Sequence, residues 1–464
     1  MARKPNLLFI FTDQQRSDTL SCYGNDQVEA PTLNALARES FLFQHPYVTV
    51  PICTPDRSTL MTGLYPHTNG CLGNNIPLSS DIPTLAELIS PDYRRAYMGK
   101  WHLGNEVIGQ HGFEQWVSIE DQYRDYYQKD EYLDTLSDYH HHLIRNGFTP
   151  DKDSKGARVF SRPKAAKLPE EFTKATYLGQ QASQFIRENK DNPFALYINF
   201  LEPHNPYTGP FNDMYPPEGL QTGPQFMEYP EPNASNHHRN RADKYKSGSV
   251  EGISLDTETG WRKVRAQYMA LVTLVDKAVK EILSALDDSG AADNTIVVFT
   301  SDHGDQMGDH HMYAKSVFYE DSIKVPLMMR VPWLSDHHRE IPGRISQIDL
   351  VPTLLDLLGE SIPDNLQGES RVPVLKNEAD LKTNDAFFEW NESGNIWRSV
   401  VSCEGWKLNL STTDQCEFYD LNTDPYEQNN SFDDPDRKAD IRSLADRIKR
   451  WQKHTDDDTP LPTV

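Results

Sequence analysis

Three apolar runs in the chain have the length and composition of buried strands. They cover residues 6–12, 194–201 and 295–301, and each consists mainly of leucine, aromatic and β-branched side chains. Runs without alternation between apolar and polar positions are typical of strands buried on both faces, as in parallel sheets. The pattern therefore predicts a central sheet in which these three strands lie parallel.

Between and after these runs, apolar residues recur at the spacing of a helix. One predicted helical face comprises Leu33, Leu36, Ala37 and Phe41. Residues 264–286 form a long amphipathic pattern, and residues 348–359 predict a helix that ends at Gly359. Strands that alternate with helices predict an α/β fold, whose mostly parallel sheet carries helices on both faces.

The pattern changes after about residue 370, where hairpin-like segments precede a charged helical pattern over residues 437–454. We therefore predict two unequal domains, residues 1–370 and a smaller C-terminal subdomain of residues 371–464. A chain of 464 residues is long enough for each of them to have a hydrophobic core.

Two long polar stretches, residues 121–172 and 205–260, interrupt the large domain. Loops of this length are usually functional, and we expect them to frame the mouth of a pocket. Within the first stretch, residues 123–142 are rich in tyrosine and histidine. This run either stacks on a sugar or aromatic group or forms an amphipathic surface helix.

Charged residues follow two of the predicted strands. Asp13 comes directly after the first apolar run, and Asp302 and His303 come directly after the third. Ligands bind beyond the carboxyl ends of parallel strands, so the two strand ends are expected to form one site. Carboxylate oxygens are the ligands of a hard divalent cation such as Ca²⁺, Mg²⁺ or Mn²⁺.

Cys53 opens the sequence Cys-Thr-Pro-Asp-Arg, which ends at Arg57. A nucleophilic thiol needs a depressed pKa, and a neighbouring guanidinium can provide it. The alternative interpretation is a buried structural cysteine before a proline turn.

Two lysines and two further histidines lie near predicted strand ends. Lys100 and His102 belong to the sequence Gly-Lys-Trp-His, where alternation in an extended segment would place both on one side. His204 follows the second apolar run, and Lys315 lies in the loop after the third. Each has an ordinary structural interpretation alone, but their occurrence in this order indicates a catalytic site.

These clusters resemble the signature and active-site segments of the type I sulfatases, within the alkaline phosphatase superfamily. The resemblance spans nearly the whole chain, since residues 416–430 are similar to that family's closing hairpin. It implies a large, mostly parallel mixed sheet flanked by helices, with a C-terminal α+β subdomain containing an antiparallel sheet. It also implies that a formylglycine-generating enzyme, or another maturase, converts Cys53 into formylglycine.

The resemblance implies a role for each matching residue. Arg57 and Lys100 would hold the nucleophile, His102 would assist release of sulfate, and His204 and Lys315 would contact the sulfate and the leaving oxygen. One divalent ion, Ca²⁺ in the first place and Mn²⁺ or Mg²⁺ as alternatives, would bind to Asp13, Gln14, Cys53, Asp302 and His303.

The chain departs from the family pattern at two places. Asp56 stands where a small or hydroxyl residue is expected, and the pairs Asp13-Gln14 and Asp302-His303 also resemble choline sulfatases and phosphonate monoester hydrolases. The leading hypothesis is a sulfatase, exo-acting on a carbohydrate or aryl sulfate. The alternatives are a phosphonate monoester or phosphodiester hydrolase, and a non-catalytic binder of sulfated glycans.

Composition narrows the choice of partner. The chain has 46 basic and 69 acidic residues, which give a net charge of −23. A field of this sign disfavours nucleic acid and extended polyanions. A small sulfate ester, or the terminal ester of a saccharide, fits better.

The cysteines and the N-terminus bear on the compartment. Cys403 and Cys416 fall on neighbouring hairpin-like segments and could pair, although the four cysteines other than Cys53 allow three connectivities and could all be free thiols. No apolar stretch approaches the ~20 residues of a membrane-spanning helix. Residues 1–5 run directly into the first strand without the pattern of a signal peptide, which leaves a bacterial-type cytoplasm and a periplasm open. The number of subunits is open as well.

Overall fold

The computed structural model describes residues 4–335, 337–392 and 394–464. The strands within these residues are β1 (Asn6–Asp13), β2 (Phe41–Tyr47), β3 (Arg94–Gly99), β4 (Gln115–Ser118), β5 (Lys152–Ser154), β6 (Ala157–Val159), β7 (Phe194–Pro203), β8 (Ser249–Val250), β9 (Ile253–Ser254), β10 (Thr295–Ser301), β11 (Leu327–Arg330), β12 (Arg339–Ser346), β13 (Ala386–Glu392), β14 (Asn395–Val401), β15 (Trp406–Ser411) and β16 (Glu417–Asp420).

The α-helices among the described residues alternate with these strands through most of the chain. They are α1 (Pro31–Ala37), α2 (Cys53–Thr62), α3 (Pro66–Asn69), α4 (Leu85–Leu88), α5 (Asp138–Arg145), α6 (Arg162–Ala165), α7 (Lys174–Asn189), α8 (Asn236–Asp243), α9 (Glu258–Asp288), α10 (Glu320–Ile323), α11 (Leu350–Leu358), α12 (Val372–Leu375) and α13 (Lys438–Thr455).

The central sheet has eight strands in the order β12-β2-β11-β10-β1-β7-β3-β4. Strand β1 lies between β10 and β7 and is parallel to both, so the three apolar runs are adjacent. In this sheet only β11 runs antiparallel to its neighbours. The predicted mixed, mostly parallel sheet is confirmed.

Both faces of the central sheet are covered. In β1, Leu8 and Ile10 belong to one hydrophobic core together with residues of α7 and α9, whereas Leu7 and Phe9 belong to a second core with residues of α2 and α11. Because successive side chains of a strand point to opposite faces, a strand between two helical layers must be apolar throughout. This explains the absence of alternation in the sequence of β1.

Most predicted helices are confirmed, but the helix predicted to include Phe41 ends earlier than predicted. Residues 264–286 lie in α9, and α11 ends before Gly359, which adopts a left-handed φ of 73°. Helix α1 ends at Ala37, whereas Phe41 begins β2 and pairs with Met329 and Arg339. Phe41 has helical spacing from Ala37, but pairing with two strands from distant parts of the chain places it in the sheet.

The C-terminal part contains the predicted hairpins and helix. Strands β13 to β16 form an antiparallel sheet in sequential order, and α13 packs on β14 and β15. Leu375 and Leu381 belong to the core of the central sheet, although they follow residue 370. The domain boundary at residue 370 stays a prediction.

All five cysteines lie within the described residues, and all carry free thiols. The proposed pairing of Cys403 with Cys416 is therefore wrong for this structure, and Cys416 contacts Ser411 instead. Among the described residues, no helix has both the length and the apolar character needed to cross a membrane. The prediction about a signal peptide rests partly on Met1–Arg3, and these three residues lie outside the described residues.

Glu417 joins the C-terminal sheet to the second polar stretch. Its buried carboxylate accepts hydrogen bonds from the backbone N–H of Ser235 at 2.8 Å and from Asn409 Nδ2 at 3.0 Å, and it contacts His238 Nδ1 at 3.0 Å. Burial acts to raise the pKa of Glu417, but His238 and these hydrogen bonds outweigh it and lower the pKa to about 2. The ionised form therefore stabilises the packing of α8 on the C-terminal sheet.

We expect Glu417→Gln to lower the unfolding free energy at pH 7 by on the order of 3 kcal/mol. Because the pKa is depressed in the folded protein, this stabilisation is complete above about pH 4.5 and is lost as pH falls through about 2. Thermal unfolding at pH 7, 4 and 3 should show the difference between variant and wild type shrinking with acid. The exposed Glu378→Gln is the control, and a difference independent of pH would contradict the assignment.

Candidate active site

The predicted site residues come together at one edge of the central sheet. Asp13 ends β1, Lys100 follows β3, His204 follows β7, and Asp302 follows β10. Helix α2 begins at Cys53 beside them. The carboxyl ends of four parallel strands and the N-terminus of one helix thus form the walls of the site.

Cys53 lies at the centre of this group and is 1% exposed. Its Sγ is 3.3 Å from His303 Nε2, 3.7 Å from Lys100 Nζ and 3.8 Å from Asp13 Oδ1. Burial and Asp13 act to raise the pKa of the thiol, but neighbouring cations led by Lys100 outweigh them and lower it to about 7. A helix N-terminus also favours negative charge at this position, so the surroundings stabilise an anionic side chain at residue 53.

Cationic side chains hold the Oδ2 atoms of the Asp13 and Asp302 carboxylates. Lys100 Nζ contacts Asp13 Oδ2 at 2.5 Å, and Arg57 contacts Asp13 Oδ2 at 3.0 Å and Asp302 Oδ2 at 2.9 Å. Burial acts to raise the pKa of Asp13, but Lys100 and other cations hold it well below its usual range. Asp13 is therefore ionised, and the Oδ1 atom of each carboxylate remains directed towards the group formed by Cys53 and His303.

The geometry fits a metal ion. One possible ligand atom each from Asp13, Cys53, Asp302 and His303 lies within 4.8 Å of the other three. His303 Nδ1 lies 3.0 Å from the carbonyl oxygen of Gly304, to which it donates, and this leaves the lone pair of Nε2 directed at the group. Two carboxylates and one imidazole suit a hard or borderline divalent ion.

Gln14 lies beside this cluster rather than within it. Its Oε1 accepts a hydrogen bond from Lys315 Nζ at 2.6 Å, and its Nε2 donates to Tyr207 at 2.7 Å and to Asp305. Gln14 thereby fixes the ammonium of Lys315 at the site, and its role as a metal ligand stays a prediction.

Asn199 is a positioning residue that the sequence analysis missed. It lies within β7, where its Oδ1 accepts from Arg57 Nη1 at 2.8 Å and its Nδ2 donates to the carbonyl oxygen of Phe11 at 3.1 Å. Arg57 Nη1 also donates to the carbonyl oxygen of Lys100 at 2.8 Å. A single buried amide inside an apolar strand was the available signal, since such a group requires specific partners.

We expect Asn199→Ala to weaken metal binding and kcat/KM by about 10- to 100-fold, because it frees the guanidinium that orients both carboxylates. Metal affinity measured by titration checks this directly. Asn69→Ala is the matched control, since Asn69 is a buried amide that bonds to Ser58 and Leu64 instead. Equal metal affinity in the Asn199 variant and the wild type would contradict the role.

A model of the sulfatase family matches residues 5–360 of the chain, and a model for the C-terminal region of N-sulphoglucosamine sulphohydrolase matches residues 308–454. The chain belongs to the sulfatase family. An ulvan-active sulfatase from Formosa agariphila is 30% identical over 453 residues, which cover 93% of this chain and 78% of that relative. This sulfatase is therefore a sulfuric ester hydrolase, and the hypothesis of a non-catalytic binder is wrong.

Two solved structures share the fold of this sulfatase. One, in complex with its substrate D-glucosamine-2-N,6-O-disulfate, superposes with a TM-score of 0.80 at 22% identity over 99% of both chains. The other, the phosphonate monoester hydrolase of Agrobacterium radiobacter, gives a TM-score of 0.75 at 25% identity over 97% of this chain and 96% of its own. The predicted superfamily is confirmed.

Two histidines of this sulfatase's site, His102 and His204, are neutral in the free protein. Burial, reinforced by Lys100, lowers the pKa of His102 well below its ordinary value, and burial reinforced by Lys315 does the same for His204. His204 Nδ1 donates to the carbonyl oxygen of Asn205 at 2.7 Å, so Nε2 carries the lone pair. Each ring can therefore accept a proton during turnover.

His102 has an unusual setting. Its Nε2 donates to Asn75 Oδ1 at 2.9 Å, while its buried Nδ1 has no hydrogen-bond partner among the described residues. The ring stacks on Tyr123 with centroids 4.0 Å apart. A buried ring nitrogen without a partner is a candidate general base.

The backbone around His102 differs from the predicted extended segment. His102 has a left-handed φ of 58°, and Glu106 accepts hydrogen bonds from the backbone N–H groups of Trp101 at 2.9 Å and His102 at 2.6 Å. The turn of this loop therefore depends on the carboxylate of Glu106, four residues after His102, and not on strand pairing. Lys100 and His102 nevertheless lie together, because both contact the ring of Tyr123.

Asp56, the departure within the signature, is a structural residue. Its Oδ1 accepts hydrogen bonds from the backbone N–H of Thr49 at 2.9 Å and from the Thr49 hydroxyl at 3.2 Å. Burial raises the pKa of Asp56 well above its ordinary value. The side chain therefore fixes the segment before α2 as a neutral acid and does not add charge to the site.

Proposed function

We propose that this sulfatase hydrolyses a carbohydrate or aryl sulfate to the alcohol and inorganic sulfate, with Cys53 acting after conversion to formylglycine. The observation that carries the proposal is the position of Cys53, at the N-terminus of α2 and within 3.8 Å of Asp13, Lys100 and His303. Formylglycine, in its hydrated form, supplies a hydroxyl nucleophile at this position. A maturase is the partner that this proposal requires.

One divalent ion completes the proposed site, with Ca²⁺ in the first place and Mg²⁺ or Mn²⁺ as alternatives. Asp13, Asp302, His303 and position 53 would hold it, and Gln14 is a further candidate ligand. The ion would supply Lewis-acid chemistry and orient the ester. The Oδ1 atoms of the two carboxylates, free of Arg57 and Lys100, support this assignment.

The chain's own cations stabilise the charge that develops during reaction. A sulfate ester is a monoanion, and cleavage of the bond to the leaving oxygen moves negative charge onto that oxygen. Lys100 and Lys315 are fixed by Asp13 and Gln14, so they need no reorganisation when this charge appears. Fixed charges in a water-excluded site lower the barrier, and each raises the rate by about 10²- to 10³-fold.

Protons are moved by the two histidines in this proposal. A bound sulfate ester adds negative charge beside His204 and favours its protonated form, so Nε2 can donate a proton to the leaving alcohol. His102 Nδ1, which has no partner among the described residues, accepts a proton as sulfate is released. The lowered pKa of His102 returns it to the neutral form for the next turnover.

The substrate is proposed to be a carbohydrate sulfate attacked from a chain end. The ulvan-active relative supports a carbohydrate, and the net charge of −23 disfavours extended binding along a polyanion. A second candidate is hydrolysis of phosphonate monoesters, which the similarity to the Agrobacterium radiobacter enzyme favours as a side activity.

Paired aryl esters separate the two candidates. We expect kcat/KM for 4-nitrophenyl sulfate to exceed that for the 4-nitrophenyl ester of phenylphosphonate, because the family model and the ulvan-active relative both favour a sulfate ester. Both esters release the same leaving group, so the ratio reports the centre attacked. If the phosphonate were cleaved faster, sulfate hydrolysis would be the side activity.

A further inference from the structure

Arg162 begins α6 in the first polar stretch, and it lies next to the catalytic histidines. Its Nη2 donates to the hydroxyl of Tyr123 at 2.7 Å, and its guanidinium carbon is 5.3 Å from the centroid of the Tyr123 ring. The same ring stacks on His102 and contacts Lys100. Arg162 is thus joined to the catalytic group through one aromatic side chain.

Arg162 also lies close to His204. The two residues line the same small cavity beside α7. The charge of Arg162 contributes to lowering the pKa of both His102 and His204, although burial is the larger cause for each. The guanidinium is therefore close enough to both histidines for its charge to act on them.

The charges around Arg162 do not cancel. Glu120 is buried and accepts from Arg162 Nε at 2.8 Å, but it also accepts from the ammonium of Lys174. Two cations therefore share one carboxylate. Burial raises the pKa of Glu202, which lines the same cavity, and this reduces its negative charge. The cluster keeps a positive charge in a chain whose net charge is −23.

One donor group of Arg162 is left over. Nε and Nη2 are used by Glu120 and Tyr123, whereas no hydrogen bond from Nη1 ends on any of the described residues. The side chain is 14% exposed and lines the same cavity as His204. A planar guanidinium held in place, with a free N–H pair, is suited to bind a carboxylate or a sulfate.

We propose that Arg162 binds a second anionic group on the sugar that carries the scissile sulfate, so the preferred substrate is an acidic saccharide. The inference rests on the proposed function and narrows its substrate class. The second group is a carboxylate, as in a uronic acid, or a further sulfate ester. Tyr123 acts as a positioning residue, because its hydroxyl fixes Arg162 while its ring contacts His102.

The test compares three methyl glycosides that carry the scissile sulfate at the same hydroxyl, C2, C3 or C4. They are the neutral glucoside, the glucuronide and the glucoside with a second sulfate at C6. We expect kcat/KM for one of the two acidic sugars to exceed that for the neutral sugar by about 10- to 100-fold, the size of one charge-assisted contact. Whichever acidic sugar is preferred identifies the group.

Variants assign that preference to Arg162. In Arg162→Gln the ratio of the acidic to the neutral kcat/KM should fall to about 1, mainly through KM, and Arg162→Lys should restore part of it. Tyr123→Phe keeps the ring and removes the hydroxyl that holds Arg162, so it should also lower the ratio. This variant tests the role of Arg162 even if the Arg162 variants do not fold. Arg145→Gln, an exposed arginine in the same polar stretch, is the control.

Three results would overturn the inference. A wild type that shows no preference, or an unchanged ratio in both Arg162→Gln and Tyr123→Phe, would make the cluster purely structural. Cleavage of 4-nitrophenyl sulfate but of none of the sugars would refute the substrate class. If 4-nitrophenyl sulfate is not cleaved either, the proposed function itself fails, and the inference fails with it.

Discussion

Cys53→Ala is expected to abolish sulfate release, with a loss of at least about 10⁴-fold in kcat, because the proposed nucleophile is the formylglycine made from Cys53. The fold should persist, since the contacts of the Cys53 side chain are with site residues and not with the cores. Sulfate measured by ion chromatography, together with thermal unfolding, checks both statements.

Cys71→Ala is the matched control for this variant. Cys71 is also buried, and burial raises the pKa of its thiol to about 12, so it is inert. Mass spectrometry of tryptic residues 39–57 tests the chemistry separately, because conversion of cysteine to formylglycine lowers the mass by about 18 Da. An active protein with an unmodified thiol would instead indicate hydrolysis by the thiol or by a metal-bound hydroxide.

Asp302→Ala is expected to lose the metal ion and to lower kcat/KM by about 10³-fold or more. The carboxylate provides one inward oxygen for the ion and one outward oxygen for Arg57. Its removal therefore deletes a ligand and leaves the guanidinium without one of its two anionic partners. Elemental analysis of the purified variant gives the metal content independently of turnover.

Asp349→Asn serves as the control for this experiment. Asp349 is a buried carboxylate paired with Arg371 at 2.9 Å, but it lies at the start of α11, outside the site. This variant should lose stability and keep its metal. Full metal occupancy in Asp302→Ala would refute the site, whereas loss of metal from both variants would indicate a general effect of folding.

The parts of the fold that could be predicted are those that local sequence determines. A strand covered by helices on both faces has to be apolar throughout, which is why β1, β7 and β10 were recognisable and why Asp13, His204 and Asp302 could be assigned to strand ends. The cysteine signature was recognisable because its residues are consecutive. In these segments, the residues that act together are also neighbours in the sequence.

The rest depended on contacts between distant residues. Phe41 has helical spacing from Ala37, yet β11 and β12 pair with it, and both lie almost 300 residues further on. Asn199 and Tyr123 act through Arg57 and Arg162, and no spacing rule connects these pairs. The turned backbone at His102 depends on Glu106, whose role is invisible until the loop is folded.

The separation of the site along the chain has a consequence during synthesis. Strand β1 pairs with β10, so the pocket around Cys53 closes only when residues about 250 positions further along have been made. At ~5–20 residues per second, the interval lasts about 12–50 seconds. During that time, the thiol that is 1% exposed in the finished protein is not yet enclosed by the residues that follow β10. The maturase that the proposed function requires would therefore have to act while the ribosome is still translating, or before the completed chain folds.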